Sequence, residues 1–211
     1  MVIFSNEILV CGRFGYSGKF IRYYRQKSVL WSDVKVKDFY LSVDVRLDSA
    51  DRNAGIQFRS VKVNDYGQAK GYQADVGLNY GQNIWGTIYH EDGRGLLHTS
   101  DPKKTTVNDK QWNHYEILAS GNRIWTAING QIISALEDKG DDMEGYIALQ
   151  IHGGPPQTVR YRIKKLILNP KVSLAGKNEN ELNTLLRKLL IPVKGQTSFT
   201  LHAGDVIAEW C

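Results

Sequence analysis

Lys37 to Asp48 carries the clearest pattern in the chain. Phe39, Leu41, Val43, Val45 and Leu47 alternate with Tyr40, Ser42, Asp44, Arg46 and Asp48. A period of two predicts a long antiparallel strand with one buried face. Three shorter segments repeat the design. Ile56 and Phe58 alternate with Gln57 and Arg59 in Asn53 to Ser60; Tyr72, Ala74 and Val76 alternate with Gln73 and Asp75 in Gly71 to Gly77. Ile147, Leu149 and Ile151 alternate with Gln150 and His152 in Gly145 to Pro156. A fourth, Trp85 to Arg94, sets Ile88 against Thr87 and Tyr89, and leaves Glu91 and Arg94 where the strand runs out.

The remaining chain reads the same way. Glu7 to Val10, Phe20 to Tyr24 and Ser28 to Trp31 are predicted strands. Val61 to Lys70, Leu78 to Asn83 and Leu96 to Asp109 read as connections. Trp112 to Ser120, Arg123 to Ile128 and Gln131 to Leu136 form a meander. Its second turn is Asn129-Gly130, the pair favoured where both central residues take positive φ. After the acidic loop Glu137 to Glu144 come Gly145 to His152 and a last strand, Thr158 to Leu168. About twelve short strands without a helix predict an all-β sandwich or jelly roll.

The character changes after Pro170. Leu182, Leu185, Leu186, Leu189 and Leu190 fall on one side of a predicted amphipathic helix, Glu179 to Leu190. Residues 1–170 are therefore expected to form the β domain, and 171–211 a helix and tail, read as the start of a further segment or as an addition to the sheet.

Composition narrows the function classes. With 42% apolar and 23% charged residues the chain is globular. The net charge of +5 is spread out, with local clusters only at Arg22 to Lys27 and Arg160 to Lys165. That lacks the dense basic stripe of a nucleic-acid reader. No apolar run reaches membrane-span length, and no leader is read at Met1 to Glu7. Cys11 and Cys211 form neither a disulfide framework nor a metal spacing.

If the alternating strands share one sheet, its polar face gathers Gln57, Arg59, Gln73, Asp75, Gln150 and His152. Exposed sheet faces are usually polar, but this one is rich in amides and holds an acid, a base and an arginine, the composition of a polar-ligand site.

Six segments in order resemble the 3-keto-disaccharide hydrolase family, whose fold is a concanavalin A-like jelly-roll sandwich of two antiparallel sheets. They are Asp38 to Arg46, Asn53 to Ser60, Gly71 to Asp75, Trp112 to Glu116, Gly121 to Ile124 and Gly145 to Gly154. The resemblance covers roughly residues 5 to 169 and implies cleavage of 3-keto-glycosides. A ketone at C3 acidifies the C2 proton, a base removes it, and the enolate expels the C1 substituent. That chemistry needs a base, an acid for the leaving oxygen, and a donor at the enolate oxygen. It implies a catalytic set of His152, Asp75, Glu91 and Arg59, with His152 as the base or acid because an imidazole titrates near neutrality, and Asp75 either orienting His152 or acting as base itself. Arg59 and Arg94 are cations for the enolate, or simple partners of those carboxylates. Trp85 and Tyr89 suit stacking on a sugar ring, or core packing, and Gln57, Gln73, Gln150, Asn53 and Arg94 complete the binding set. No cofactor is required and no metal site is expected. A divalent ion bridging Asp75, Glu91 or His152 stays open, because enediolate chemistry is often metal-assisted. The expected partner is a carbohydrate, with neither nucleic acid nor membrane, and the oligomeric state is open. The residues name no compartment; the family resemblance is consistent with the bacterial periplasm or secretion. A non-catalytic sugar-binding module on the same jelly roll is the alternative.

Overall fold

The computed structural model describes residues 8–11, 27–48, 52–64, 68–98, 106–140, 142–153 and 157–188. In chain order the elements are β1 (Ile8–Cys11), β2 (Ser28–Val36), β3 (Phe39–Leu47), β4 (Asn53–Lys62), β5 (Ala69–Asn79), β6 (Gln82–Asn83), β7 (Ile88–Glu91) and β8 (Gly95–His98). There follow β9 (Asn113–Ser120), β10 (Arg123–Ile128), β11 (Gln131–Glu137), β12 (Gly145–Ile151), β13 (Thr158–Leu168), β14 (Ser173–Leu174), β15 (Lys177–Asn178), α1 (Glu179–Thr184) and β16 (Arg187–Lys188).

Two sheets face each other. One runs β1-β13-β3-β9-β10-β11-β16, the other β2-β12-β4-β5-β7-β8, with β6 folded back on β5. Every pairing is antiparallel except the short β11–β16 contact. The apolar halves of the alternating strands meet between the sheets. Phe39, Leu41, Val43, Val45, Ile56, Phe58, Ile117, Leu149 and Ile151 all lie in one buried cluster. The protein is thus an all-β jelly-roll sandwich. Among the described residues no helix is long and apolar enough to cross a membrane.

A second apolar cluster lies on the outer face of the first sheet. Leu174 and Leu182 pack there on Leu118, Trp125, Ala127 and Ala135. The chain beyond residue 170 therefore continues the packing as far as residue 188. The expected helix, Glu179 to Leu190, is shorter than its leucines suggested. A capping box between Asn178 and Glu181 starts α1, which ends at Thr184. The Trp125 indole N–H caps the Leu182 carbonyl at 3.1 Å, and Arg187 and Lys188 then pair with the open edge of β11. A leucine spacing of three and four residues cannot tell one helix from a helical turn followed by an edge strand. Leu189, Leu190, the tail Pro192 to Cys211 and the predicted strand Phe20 to Tyr24 lie outside the described residues.

Strand ends also moved. β4 and β5 run into the predicted Val61 to Lys70 loop, and β8 occupies part of the Leu96 to Asp109 connection. The side chains past the core in β4 are exposed, so nothing in the alternation marked them as strand.

Candidate functional site

The face of the second sheet turned away from the core is built in two rows. Strand pairing aligns Trp31, Ala148, Gln57, Gln73 and Tyr89 in one, and Val29, Gln150, Gly55 and Asp75 in the next. Period two then puts all of them on one side. Glu91 stands at the end of β7, opposite Gly71.

The side chains of this face are bonded into one network. Gln57 Nε2 and Gln150 Nε2 both donate to Gln73 Oε1, at 2.5 Å each, and Ser60 Oγ donates to Gln57 Oε1 at 3.1 Å. Gln73 Nε2 donates to Asp75 Oδ1 at 2.6 Å. Gln150 Nε2 also reaches Glu91 Oε1 at 3.1 Å, and Lys27 Nζ donates to Glu91 Oε2 at 2.6 Å. Every donor therefore leads to one of two carboxylates. Glu91 and Gln150 sit on strands separated by β5 and β4, about 14 Å apart across a flat sheet and offset along it as Gly71 is from Asp75. Their contact requires the sheet to curve, so this face is concave.

Gly55 makes room for the chain of amides. A Cβ there would lie 2.6 Å from Gln73 Cδ, so only glycine lets Gln73 lie flat toward Asp75.

The expectation of an open polar surface is corrected by burial. Gln57, Gln73, Asp75 and Gln150 are all at most 6% exposed. Burial has a chemical effect on Asp75. It pushes the carboxyl from 3.8 up to about 7, helped by Glu91 and opposed by the Gln73 hydrogen bond and the Lys27 charge. Oδ1 is held by Gln73, while Oδ2 receives no hydrogen bond from the described residues. The result is an acid–base group poised near neutrality with one oxygen to offer.

Other expected site residues lie elsewhere. Arg59 has a φ of +47° in a bulge of β4, which swings its side chain off the polar face. Its Nε donates to the Lys37 carbonyl at 2.7 Å and Nη2 to Asp38 Oδ1 at 3.3 Å, tying β4 to the β2–β3 turn. Arg94 makes a two-pronged bond to Asp138, at 2.7 and 2.6 Å, in a cluster with Tyr72. Burial alone would raise the Asp138 carboxyl, but Arg94 and Tyr72 hold it below its usual range. Beside it His90 accepts the Arg94 N–H at Nδ1 and donates from Nε2 to Asp142 at 2.7 Å. This second cluster clamps the acidic loop to β7. Trp85 is 5% exposed and packs in the core against Tyr115, with ring centroids 6.3 Å apart. It offers no face to a sugar.

His152 follows β12 on the polar side and is exposed, with Nδ1 donating to the Gly153 carbonyl at 2.7 Å. It makes no bond to Asp75. Its neighbour Asn53, on β4, is half-buried and its Oδ1 has no partner among the described residues. Tyr89 is half-buried at the end of its row. So Asp75, Glu91, Gln57, Gln73 and Gln150 come together, with His152, Asn53 and Tyr89 around them, and Arg59, Arg94 and Trp85 do not. Lys27 and Ser60 were not foreseen. Lys27 ends the basic run Arg22 to Lys27 two residues before Val29, and that parity alone would have placed it on this face.

Among the described residues no three His, Cys, Asp or Glu side chains converge as a metal cage. An apolar cavity of about 140 Å³, lined by residues including Leu30, Leu41, Ile147, Leu149 and Ile163, carries no titratable group and is set apart from the carboxylates.

Known structures share this architecture. A glycosyl hydrolase candidate from Parabacteroides distasonis aligns over 76% of this chain and 79% of its own, with a TM-score of 0.52 at 13% identity. A second from the same organism covers 68% and 84%, at 0.51 and 16%. A Bacillus subtilis protein of unknown function with a galectin-like fold covers 67% and 78%, at 0.50 and 11%. At these identities the likeness is one of fold. No curated protein sequence matches the chain. The model of the 3-keto-alpha-glucoside-1,2-lyase-like domain, however, matches residues 20–166. That span includes every strand of the concave face, and the chain belongs to this family.

Proposed function

We propose that the concave face binds a 3-keto-glycoside and eliminates its C1 substituent, with Asp75 as the base that takes the C2 proton. The observation that carries this reading is the Asp75 carboxyl, buried, pushed to about 7, and open at one oxygen. A carboxylate near its ordinary value would be a weak base toward a carbon acid; one near 7 is matched to the task at neutral pH. Gln150 Oε1, without a partner among the described residues, is the acceptor left to hold the ring, while the amide chain aligns Asp75 and the ketone supplies the acidity. His152, at the rim, gives the leaving oxygen its proton.

Family membership supports the substrate class. A glycosidase working through an oxocarbenium ion would set two carboxylates on either side of the bond; here Glu91 is occupied by Lys27 and Gln150. The test is direct. Incubated with a 3-keto-α-glucoside, the protein should release the aglycone while the parent glucoside stays intact. Equal turnover of the two sugars would overturn the elimination. Sugar binding without turnover would mark the face as a binding module.

His152 has a separate test. His152→Ala should lower turnover about 10²-fold, toward the lower end of general acid–base contributions, because water also reaches this exposed position. Its one bond is to the next residue, so the melting temperature should not move. A large drop in melting temperature would instead identify a structural histidine.

A further inference from the structure

Resting on that reading, we propose that Lys27 is the group that stabilises the enolate, its ammonium facing the C3 oxygen of the keto-sugar. The elimination requires a positive or donating group at that oxygen, and the two arginines of suitable charge are committed elsewhere. Arg59 is bound to Lys37 and Asp38, and Arg94 to Asp138 and Tyr72. Lys27 is joined to the acid–base network itself. Its Nζ lies 2.6 Å from Glu91 Oε2, and its side chain is 23% exposed.

Three features suit it to the role. An ammonium has three N–H donors; Glu91 takes one, and Lys27 makes no other hydrogen bond to the described residues. It is a compact charge on a flexible stem, so it can turn toward a ligand oxygen while Glu91 keeps hold of one donor. It also stands two residues before Val29, whose row continues through Gln150 and Gly55 to Asp75. Its Nζ, held by Glu91 on β7, is carried across the face to the strand next to β5, so the cation and the base sit on neighbouring strands. C2 and C3 are adjacent atoms, so the two groups must be close enough to feel each other. Lys27 does act on Asp75, holding its carboxyl lower than burial alone would.

The electron flow closes. Asp75 takes the C2 proton, the C–H pair becomes the C2=C3 bond, and the carbonyl pair moves to the C3 oxygen opposite Lys27. On collapse C3=O reforms, C1=C2 forms, and the C1–O bond breaks with its pair going to the leaving oxygen. That oxygen takes a proton from His152; Asp75 then gives its own to water, and water returns one to His152.

The experiment follows exchange of the C2 hydrogen into deuterated water by NMR alongside aglycone release from 4-nitrophenyl 3-keto-α-glucoside. Exchange reports enolate formation without requiring the C1 bond to break. Lys27→Gln should slow both about 10²–10³-fold, the usual loss on removing one donor to a developing oxyanion. Lys27→Arg should recover part of the rate. The acid limb of the pH profile of Lys27→Gln should move to higher pH, because a neighbouring cation has been removed from Asp75. Glu91→Gln breaks the same ion pair but keeps the ammonium, so exchange should fall less than in Lys27→Gln, and with a negative neighbour removed from Asp75 the acid limb should move to lower pH, opposite to Lys27→Gln. If Lys27→Gln and Glu91→Gln fall equally, the pair is structural and the proposal is overturned. It is also overturned if Lys27→Gln exchanges at the wild-type rate. Should Lys27→Gln fail to fold, the Lys27→Met and Glu91→Gln comparison decides by the same criterion. A wild-type protein that neither exchanges C2 hydrogen nor releases aglycone refutes the underlying elimination, and with it the role of Lys27.

Discussion

Asp75→Asn should lower turnover of the keto-sugar about 10⁴-fold and at the same time make the protein more stable at pH 8. The first effect follows from removing the base. The second follows from linkage. In the unfolded chain the carboxyl titrates near 3.8; in the folded protein it titrates near 7. Between these values the folded state holds a proton that the unfolded state has released, so stability falls as pH rises through the window. Below about pH 4 nothing is lost; above pH 7 the cost is complete, on the order of 4 kcal/mol for a shift of this size. Asparagine does not ionise and keeps an oxygen for Gln73. The gain of Asp75→Asn over wild type should therefore be small at pH 4, grow to pH 7 and then level off. Urea unfolding at pH 4.5 and pH 8 measures it. The same difference at both values would mean that Asp75 is not buried as an acid.

Trp85→Ala should cost about 3–5 kcal/mol of stability, the range for emptying a large core side chain. Trp85 lies in the main apolar cluster, against Tyr115, and its backbone N–H is held by Asn83 Oδ1 at 3.0 Å. Gly86 follows with φ of +81°, pressed on Ile133, so the chain has little freedom to collapse into the gap. For a domain of this size the melting temperature should fall roughly 10 °C. The variant that still folds at low temperature should bind the keto-sugar with unchanged KM. A raised KM with unchanged melting temperature would restore the tryptophan to the sugar site.

These two residues show what the sequence made legible. Asp75 sits in a strand with clean alternation, where one face is buried and period two assigns every side chain. The same holds for Gln57, Gln73 and Gln150, and for the core from Phe39 to Leu47. Trp85 falls in Ile84 to Thr87, between β6 and β7, and no periodicity tells which way it points. Arg59 failed for a different reason. Alternation assumes a regular backbone, and the bulge between Phe58 and Val61 breaks it at that residue. Gly71 and Gly145 pack closely on the bulge, where a Cβ at either would strike the backbone of Arg59 or Ser60. Those glycines were visible, but their meaning depends on strands brought together from 74 residues apart. Lys27 was hidden because a basic run reads as solvated surface until a distant Glu91 gives one member of it a partner.

The direction of the amide bonds has a consequence for the carboxyl they serve. Each carboxamide has a donor end and an acceptor end, and here Gln57 and Gln150 both turn their donors on Gln73, which turns its own on Asp75 Oδ1. Reversing any one of them would set two like ends against each other. The chain behaves as a one-way reading frame, closed at one end by the Ser60 hydroxyl. With Oδ1 always receiving, a proton on Asp75 can reside only on Oδ2. The sheet therefore decides, before any sugar arrives, which of two chemically equivalent oxygens will be the reactive one.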